Sequence, residues 1–218
     1  MMDFFSQLQS YFAQNSAEYL RCLAEHIQIT LLSLGISALI GIPLGYCCHR
    51  FQQMGRWITG IFQVLRIVPS LAVLILLIPV LGVGLLPALV ALILLAVPPI
   101  LMNTTTAFAQ IPAFYLETAQ ALGMDGHQKF WRVELPSALP QILVGVKTAA
   151  VEIVASAAIA AKIGAGGLGG LILTGLGLMR TDLLVVGGGS VALLAMCIGL
   201  IFELIQRRWM PYASSLRG

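Results

Sequence analysis

Hydrophobic residues gather along this chain into five long blocks, at 27–46, 57–77, 85–105, 141–163 and 183–205. Each is about twenty residues, the length a helix needs to cross a ~30 Å hydrocarbon layer at ~1.5 Å per residue. Inside lipid a backbone can satisfy its polar groups only as a helix or a closed barrel, and the ten-residue alternating stretches of a barrel are missing. The pattern predicts an all-α membrane protein with five spans. The turn between the second and third is expected at Gly82 and Gly84. Ahead of the first block, segment 1–23 carries Phe4, Phe5, Leu8, Tyr11 and Phe12 at helical spacing, which predicts an external or interfacial amphipathic segment. Asn15 with Glu18 three residues on resembles a helix-start capping pair, so a second helix is expected to begin there. The segment has no basic start, and no cleavable leader is expected.

Composition agrees with this reading: 59% of the 218 residues are hydrophobic and only 10% are charged, more apolar surface than a soluble domain of this length hides. The net charge of +3 does not indicate nucleic acid, because the basic residues are scattered at helix ends and not clustered among aromatics. Cys22, Cys47, Cys48 and Cys197 form no disulfide framework and read as small apolar fillers. Consecutive helical residues point about 100° apart, so Cys47, Cys48 and His49 cannot close on one ion, and no metal is expected.

Charge asymmetry gives an orientation. Arg50, Arg56, Lys129, Arg132, Arg207, Arg208 and Arg217 fall on one side, against Arg21, Lys162 and Arg180 on the other. The first side is cytoplasmic by the positive-inside bias, which places the N-terminus outside and the C-terminus inside. The expected organisation is therefore an interfacial segment 1–23, a membrane domain 24–206 with a cytoplasmic loop 111–138, and a tail 207–218.

That loop contains the main polar interruption, ETAQALGMDGHQKFWRVELP at 117–136. Pro112 suits a first helical position, Gly123 suits a left-handed residue after a helix, and Asp125 with Gln128 suits a capping box. Two short helices joined by a tight turn are predicted. Within it Glu117, Ala119, Gly123, Leu135 and Pro136 fit the pattern E-x-A-x3-G-x11-L-P, which resembles the EAA loop of permease subunits in binding-protein-dependent ABC importers. Thr118 and Val133 depart mildly from the fuller form of that motif.

The resemblance implies a fold like that of type I importer permeases and a mechanical role: the first short helix docks in a groove of a cytoplasmic ATP-hydrolysing subunit. Ala119 would allow a close fit, Gly123 the turn, Glu117 an anionic anchor, Leu135 completes the motif, and Pro136 would fix the re-entry into the fourth span. It also implies an ABC ATPase, an extracytoplasmic substrate-binding protein, a second permease copy or paralogue, and a bacterial plasma (inner) membrane location. The chain itself carries no cofactor and is not an enzyme. A phosphate-cradling G-x4-G-K-[ST] loop is absent, so ATP and Mg belong to the partner ATPase. The GAGGLG stretch at 164–169 matches a dinucleotide fingerprint formally, but a membrane helix precedes it instead of a strand. Gly164, Gly166, Gly167 and Gly169 read instead as a gating or packing device at the outer ends of the last two spans.

Further stretches, PSLA at 69–72, IPVLGVG at 78–84, PPILMNT at 98–104 and IGAGGLGGLI at 163–172, resemble permeases for glycine betaine, carnitine and choline. The last also resembles the methionine type. An importer of another small solute or amino acid remains the alternative, and a stand-alone carrier or channel is disfavoured because no inverted repeat with matched broken helices occurs. A membrane-embedded enzyme fails for want of a nucleophile or paired carboxylates. Charges inside spans need partners. Arg66 about 13 Å and Glu152 about 16 Å from the cytoplasmic ends, counted along straight helices, leave open an ion pair, or a role for Glu152 beside Gly145, Ala149, Ser156 and Ala160 in lining the path or the seam with a partner subunit. Lys147 can snorkel to the surface.

Overall fold

A computed structural model describes residues 2–209, with side chains from 9 to 208. Phe4, Phe5, Leu8 and, in the expected tail, Arg217 have side chains outside the described residues. The described chain is helical throughout, with short turns. Among the described residues four helices are long and apolar enough to cross a membrane, and a pair of shorter helices bent by 97° passes the same test only when its two halves are taken together.

Helix α1 runs Met2–Arg50, leaving helical dihedrals only at Asn15 (φ −124°, ψ 22°). The expected break is there, but Asn15 Nδ2 donates to the Tyr11 carbonyl at 3.3 Å. The side chain thus satisfies a carbonyl ending the first stretch and does not cap the second in the way the pairing with Glu18 suggested. The apolar part, Gln9–Arg50, has 42 residues and is about 63 Å long, roughly twice the hydrocarbon thickness. Part of it must therefore extend beyond the lipid.

The block 57–77 is not one straight span. It divides into α2, Gln52–Leu65, and α3, Ser70–Leu81, with Arg66 ending the first. Pro69 is extended (φ −58°, ψ 136°); it has no N–H for the Leu65 carbonyl, and its ring disfavours a helical Val68. Arg66 therefore sits at a helix end, and its depth comparison with Glu152, which assumed a continuous helix, has no footing.

Gly82 (φ 78°) and Gly84 (φ 118°) make the expected turn into α4, Leu85–Ala109. After α5, Ala113–Ala121, come α6, Gly126–Lys129, a π turn over Phe130–Glu134, and α7, Leu135–Ala160. A 3₁₀ turn, Ala161–Ile163, leads to α8, Leu168–Gly177, a short apolar helix inside the stretch expected only as a glycine-rich connection. Helix α9 is Thr181–Trp209.

The chain forms two compact units. One comprises α1 to Ile36, Val68–Ala96 and Ala150–Ile198. Its core joins Tyr11 to Leu168, Leu171, Leu183 and Val186, with Tyr19, Cys22 and Leu23 packed around it. Tyr19 and Ser190 share a hydrogen bond of 2.9 Å. The N-terminal amphipathic stretch thus buries part of its apolar face against α8 and α9. The second unit comprises Ser37–Ile67, Val97–Ala149 and the chain from Gly199. Its core is Ala107, Phe108, Ala138 and Ile142, joined by Tyr46, Phe130 and Leu135. Close approach of helices here requires missing side chains: a Cβ on Gly45 would lie 2.6 Å from Thr104 Cβ, and one on Gly145 2.7 Å from Asn103 Cβ.

Candidate functional site

The loop between α4 and α7 is a closed helical elbow. Pro112 (ψ 133°) immediately precedes α5, one residue earlier relative to the helix than expected, because its extended ψ sets the direction of entry. Helix α5 ends in two reciprocal bonds, Gly123 N–H to the Gln120 carbonyl at 2.9 Å and Met124 N–H to the Ala119 carbonyl at 3.1 Å. This six-to-one and five-to-two pairing is a Schellman termination, whose penultimate residue must be left-handed; that residue is Gly123, at φ 74°. Asp125 then caps α6: Gln128 N–H donates to Asp125 Oδ1 at 2.8 Å, and Gln128 Oε1 accepts from Asp125 N–H at 3.4 Å. Both orphan donors are satisfied by the box read in the sequence.

From α6 the helix continues unbroken through Ile163. Pro136 therefore marks no re-entry break. Its missing N–H and bulky ring are instead accommodated by the π turn just ahead, where Leu135 N–H donates to the Phe130 carbonyl, five residues back. Lys129 Nζ lies 3.8 Å from Glu134 Oε1 across that turn. Elbow and fourth span are consequently one rod.

Two contacts fasten the rod to other helices. Phe130 packs on Tyr46 and Phe108, with ring centroids 5.0 and 6.2 Å away, while Tyr46 and Phe108 are 4.8 Å apart. Gln141 Nε2 donates to Asn103 Oδ1 at 2.8 Å, and Asn103 Nδ2 donates to the Pro99 carbonyl at 2.8 Å. The clasp ties α4 to α7 at the base of the elbow.

Of the motif residues, Glu117, Gly123 and Pro136 are exposed and Leu135 joins the core. Ala119 is 2% exposed; α5 packs on α6 and the π turn. Its small size serves this internal packing, not a fit in a partner's groove, because its methyl is already covered. The surface α5 does offer holds Phe114, Tyr115 and Leu122, at 69%, 51% and 71% exposure. The motif did not single these out; the available signal was bulky apolar residues in a segment outside the spans.

The glycine hairpin is a second built element. Gly164, Gly166 and Gly167 have φ of 84°, 77° and 76°, and Gly84 N–H donates to the Ile163 carbonyl at 2.6 Å. Glu25 Oε2 accepts from Gly167 N–H at 3.1 Å, and its other oxygen accepts from Arg21 Nε at 2.9 Å. His26, fully buried, donates Nε2–H to the Val154 carbonyl at 3.1 Å. Gly169 lets α8 approach α7 so closely that a Cβ would collide with the Ala158 carbonyl. Glu25 and His26 carried no sequence signal, since their partners Gly167 and Val154 lie 142 and 128 residues away. Glu152 lies part-way along α7 and is half-buried.

Among the described residues no group of three His, Cys, Asp or Glu side chains is placed to hold a metal ion. What the described residues form is a helical protein with several candidate membrane spans and a closed elbow between α4 and α7. Comparison makes that class specific. Residues 37–211 match the family described as the inner membrane component of binding-protein-dependent transport systems, and the chain belongs to it. It is similar to the glycine betaine/carnitine/choline transport system permease protein OpuCB of Bacillus subtilis (strain 168), 33% identical over 94% of this chain and 95% of the relative. The choline transport system permease protein OpuBB of the same strain is 36% identical, over 90% of this chain and 91% of that one. The osmoprotectant import permease protein OsmW of Salmonella typhimurium (strain LT2) is 35% identical, over 90% and 94%. Among solved structures, the MetNI methionine ABC transporter in an inward-facing conformation shares the fold at a TM-score of 0.75 and 24% identity, covering 88% of this chain and 96% of that one. The protein is thus a transport component of the inner membrane, not an enzyme, with the ATPase a separate subunit.

Proposed function

We propose that the chain is the permease subunit of an ATP-driven importer for a quaternary ammonium osmoprotectant such as glycine betaine, carnitine or choline. The observation carrying this reading is the Schellman-closed, capped elbow bearing Glu117, Ala119, Gly123, Leu135 and Pro136, continuous with α7. The solute class is supported by the names of three relatives at 33–36% identity over at least 90% of both chains.

In this reading the elbow faces the cytoplasm and α5 docks on the ATPase, which binds ATP and Mg. Glu117 supplies an anionic contact, and Phe114, Tyr115 and Leu122 supply the apolar surface that a groove needs. Closure of the ATPase pair displaces the elbow; α7, moving as one piece with it, carries α4 along through the Asn103–Gln141 clasp and the Phe130 aromatic contacts. At the other end Gly164, Gly166, Gly167 and Gly169, held by Glu25, form a gate or packing joint. An extracytoplasmic binding protein delivers the solute, and a second permease copy or paralogue completes the passage. Segment 1–23, the membrane domain 24–206 and the tail 207–218 divide the chain accordingly.

The test combines Glu117→Arg with Gly123→Trp and measures co-purification of the ATPase and uptake of labelled glycine betaine. Both are expected to fall at least tenfold, about 1.4 kcal/mol of docking energy, while the amount of protein in the membrane is kept. Wild-type levels of both in the double variant would remove the elbow from the mechanism.

A further inference from the structure

A single residue, Phe51, separates α1 from α2, and Gly55 seats α2 against α1 so tightly that a Cβ would collide with the Cys48 carbonyl. In this corner lies a cavity of about 350 Å³ lined by Cys48, His49, Gln52, Arg56, Thr59 and Thr105, among others. The two threonine hydroxyls are already engaged: Thr59 donates to the Gly55 carbonyl at 2.7 Å and Thr105 to the Leu101 carbonyl at 2.9 Å. What remains to meet a ligand is the Arg56 guanidinium, the Gln52 amide and the His49 imidazole. No lining residue is acidic. Donors and positive charge without a carboxylate select an oxyanion.

The surroundings say what carries that oxyanion. A second cavity, about 740 Å³, shares Gln52 and is otherwise lined by Phe51, Gln53, Met54 and Trp57. From it Met54, Trp57, Ile61 and Val64, all at least 49% exposed, run down one face of α2 at spacings of three, four and three. Gln52, Arg56 and Gln63 lie roughly 140° around the helix from that face, and a recess lined by Gln53, Arg56 and Trp57 bridges the two. A charged recess that meets an apolar gutter around Gln53, Arg56 and Trp57 matches a phosphodiester joined to an acyl chain; free phosphate would use only the recess.

We propose that the α1–α2 corner is a binding site for an anionic phospholipid. The phosphate oxygens take the Arg56, Gln52 and His49 donors, Trp57 sits at the interface, and one chain lies along Met54, Ile61 and Val64. The proposal needs only that α1 ends at a membrane boundary, so it stands or falls separately from the transport reading.

Trp57 is the built-in probe. In the full chain carrying Trp131→Phe and Trp209→Phe, reconstituted in nanodiscs, brominated phosphatidylglycerol and brominated phosphatidylcholine are titrated and Trp57 quenching is read. Phosphatidylglycerol is expected to reach half-maximal quenching at about five-fold lower mole fraction, the effect of one basic contact. Arg56→Gln should abolish that preference without changing the phosphatidylcholine curve. Inorganic phosphate distinguishes the other source: competition by it at low millimolar concentration, with no preference for the lipid, would assign the recess to a free anion and overturn the proposal. Equal quenching by both lipids, or indifference to Arg56→Gln, would also overturn it. Should the tryptophan variants not fold, native mass spectrometry of the otherwise unaltered chain, with and without Arg56→Gln, reads the same preference as retained phosphatidylglycerol.

Discussion

Gly123 and Gly167 both hold left-handed backbone, at φ 74° and 76°, yet their surroundings differ. A Cβ on Gly123 would meet nothing within 4 Å, whereas one on Gly167 would lie 3.1 Å from His26 Nδ1 and 3.3 Å from its Cα. Gly123→Ala should therefore cost only the left-handed conformation, ~1–2 kcal/mol. Gly167→Ala adds crowding against a fully buried ring that is itself hydrogen-bonded to Val154, and should cost more. Thermal unfolding in one detergent orders the two; a smaller loss at Gly167 would show that the hairpin yields freely. Glu25 gives the complementary test. Glu25→Gln retains an acceptor for the Gly167 N–H and should be mild, whereas Glu25→Leu leaves that N–H unpaired and should destabilise by ~1–3 kcal/mol.

At the scale of elements, the elbow's rigidity depends on two features that single-site losses separate. The Asn103–Gln141 clasp links side chains in contact, so Asn103→Ala and Gln141→Ala should be non-additive by at least ~0.5 kcal/mol in a double-mutant cycle; strict additivity would mean that α4 and α7 are held by packing alone. The π turn exists because Pro136 cannot complete a regular turn with the Arg132 carbonyl. Pro136→Ala removes that obstacle, and closing the wide turn would rotate the elbow by roughly 100° relative to α7. ATPase activity is expected to persist while uptake per ATP falls several-fold; unchanged stoichiometry would show that the turn's register does not matter.

How much of this was legible follows from how local each feature is. Gly123, the Asp125–Gln128 box and the Gly82–Gly84 turn involve neighbours within five residues, and sequence read them correctly. Pro69 was equally visible, but a hydropathy block averages over dihedrals, so 57–77 read as one span. The burial of Ala119, the Phe130 contacts, the Asn103–Gln141 bond across 38 residues and the Glu25–Gly167 bond across 142 arise from partners that no local pattern names. The motif therefore located the elbow, while the reason for its alanine had to come from packing.

For the whole molecule the decisive quantity is orientation, since an elbow on the wrong side of the membrane could not meet an ATPase. Charge bias puts Arg50, Arg56, Lys129, Arg132, Arg207 and Arg208 together, against Arg21, Lys162 and Arg180, and that asymmetry predicts a cytoplasmic elbow. Gln120 and Leu178 are both exposed, in the elbow and just beyond α8 respectively, so each can report a side. In a background with Cys22, Cys47, Cys48 and Cys197 replaced by alanine, Gln120→Cys should react with a membrane-impermeant maleimide only in inverted vesicles. Leu178→Cys should react in intact cells. The reverse labelling would invert the charge bias, place α5 outside, and leave Glu117, Phe114 and Tyr115 with no nucleotide-driven partner to meet. Labelling of both from one side would instead mean that α7, which alone among the long apolar helices lies between the two reporters, does not carry the chain across the membrane, and the elbow would then have no rod reaching the opposite face.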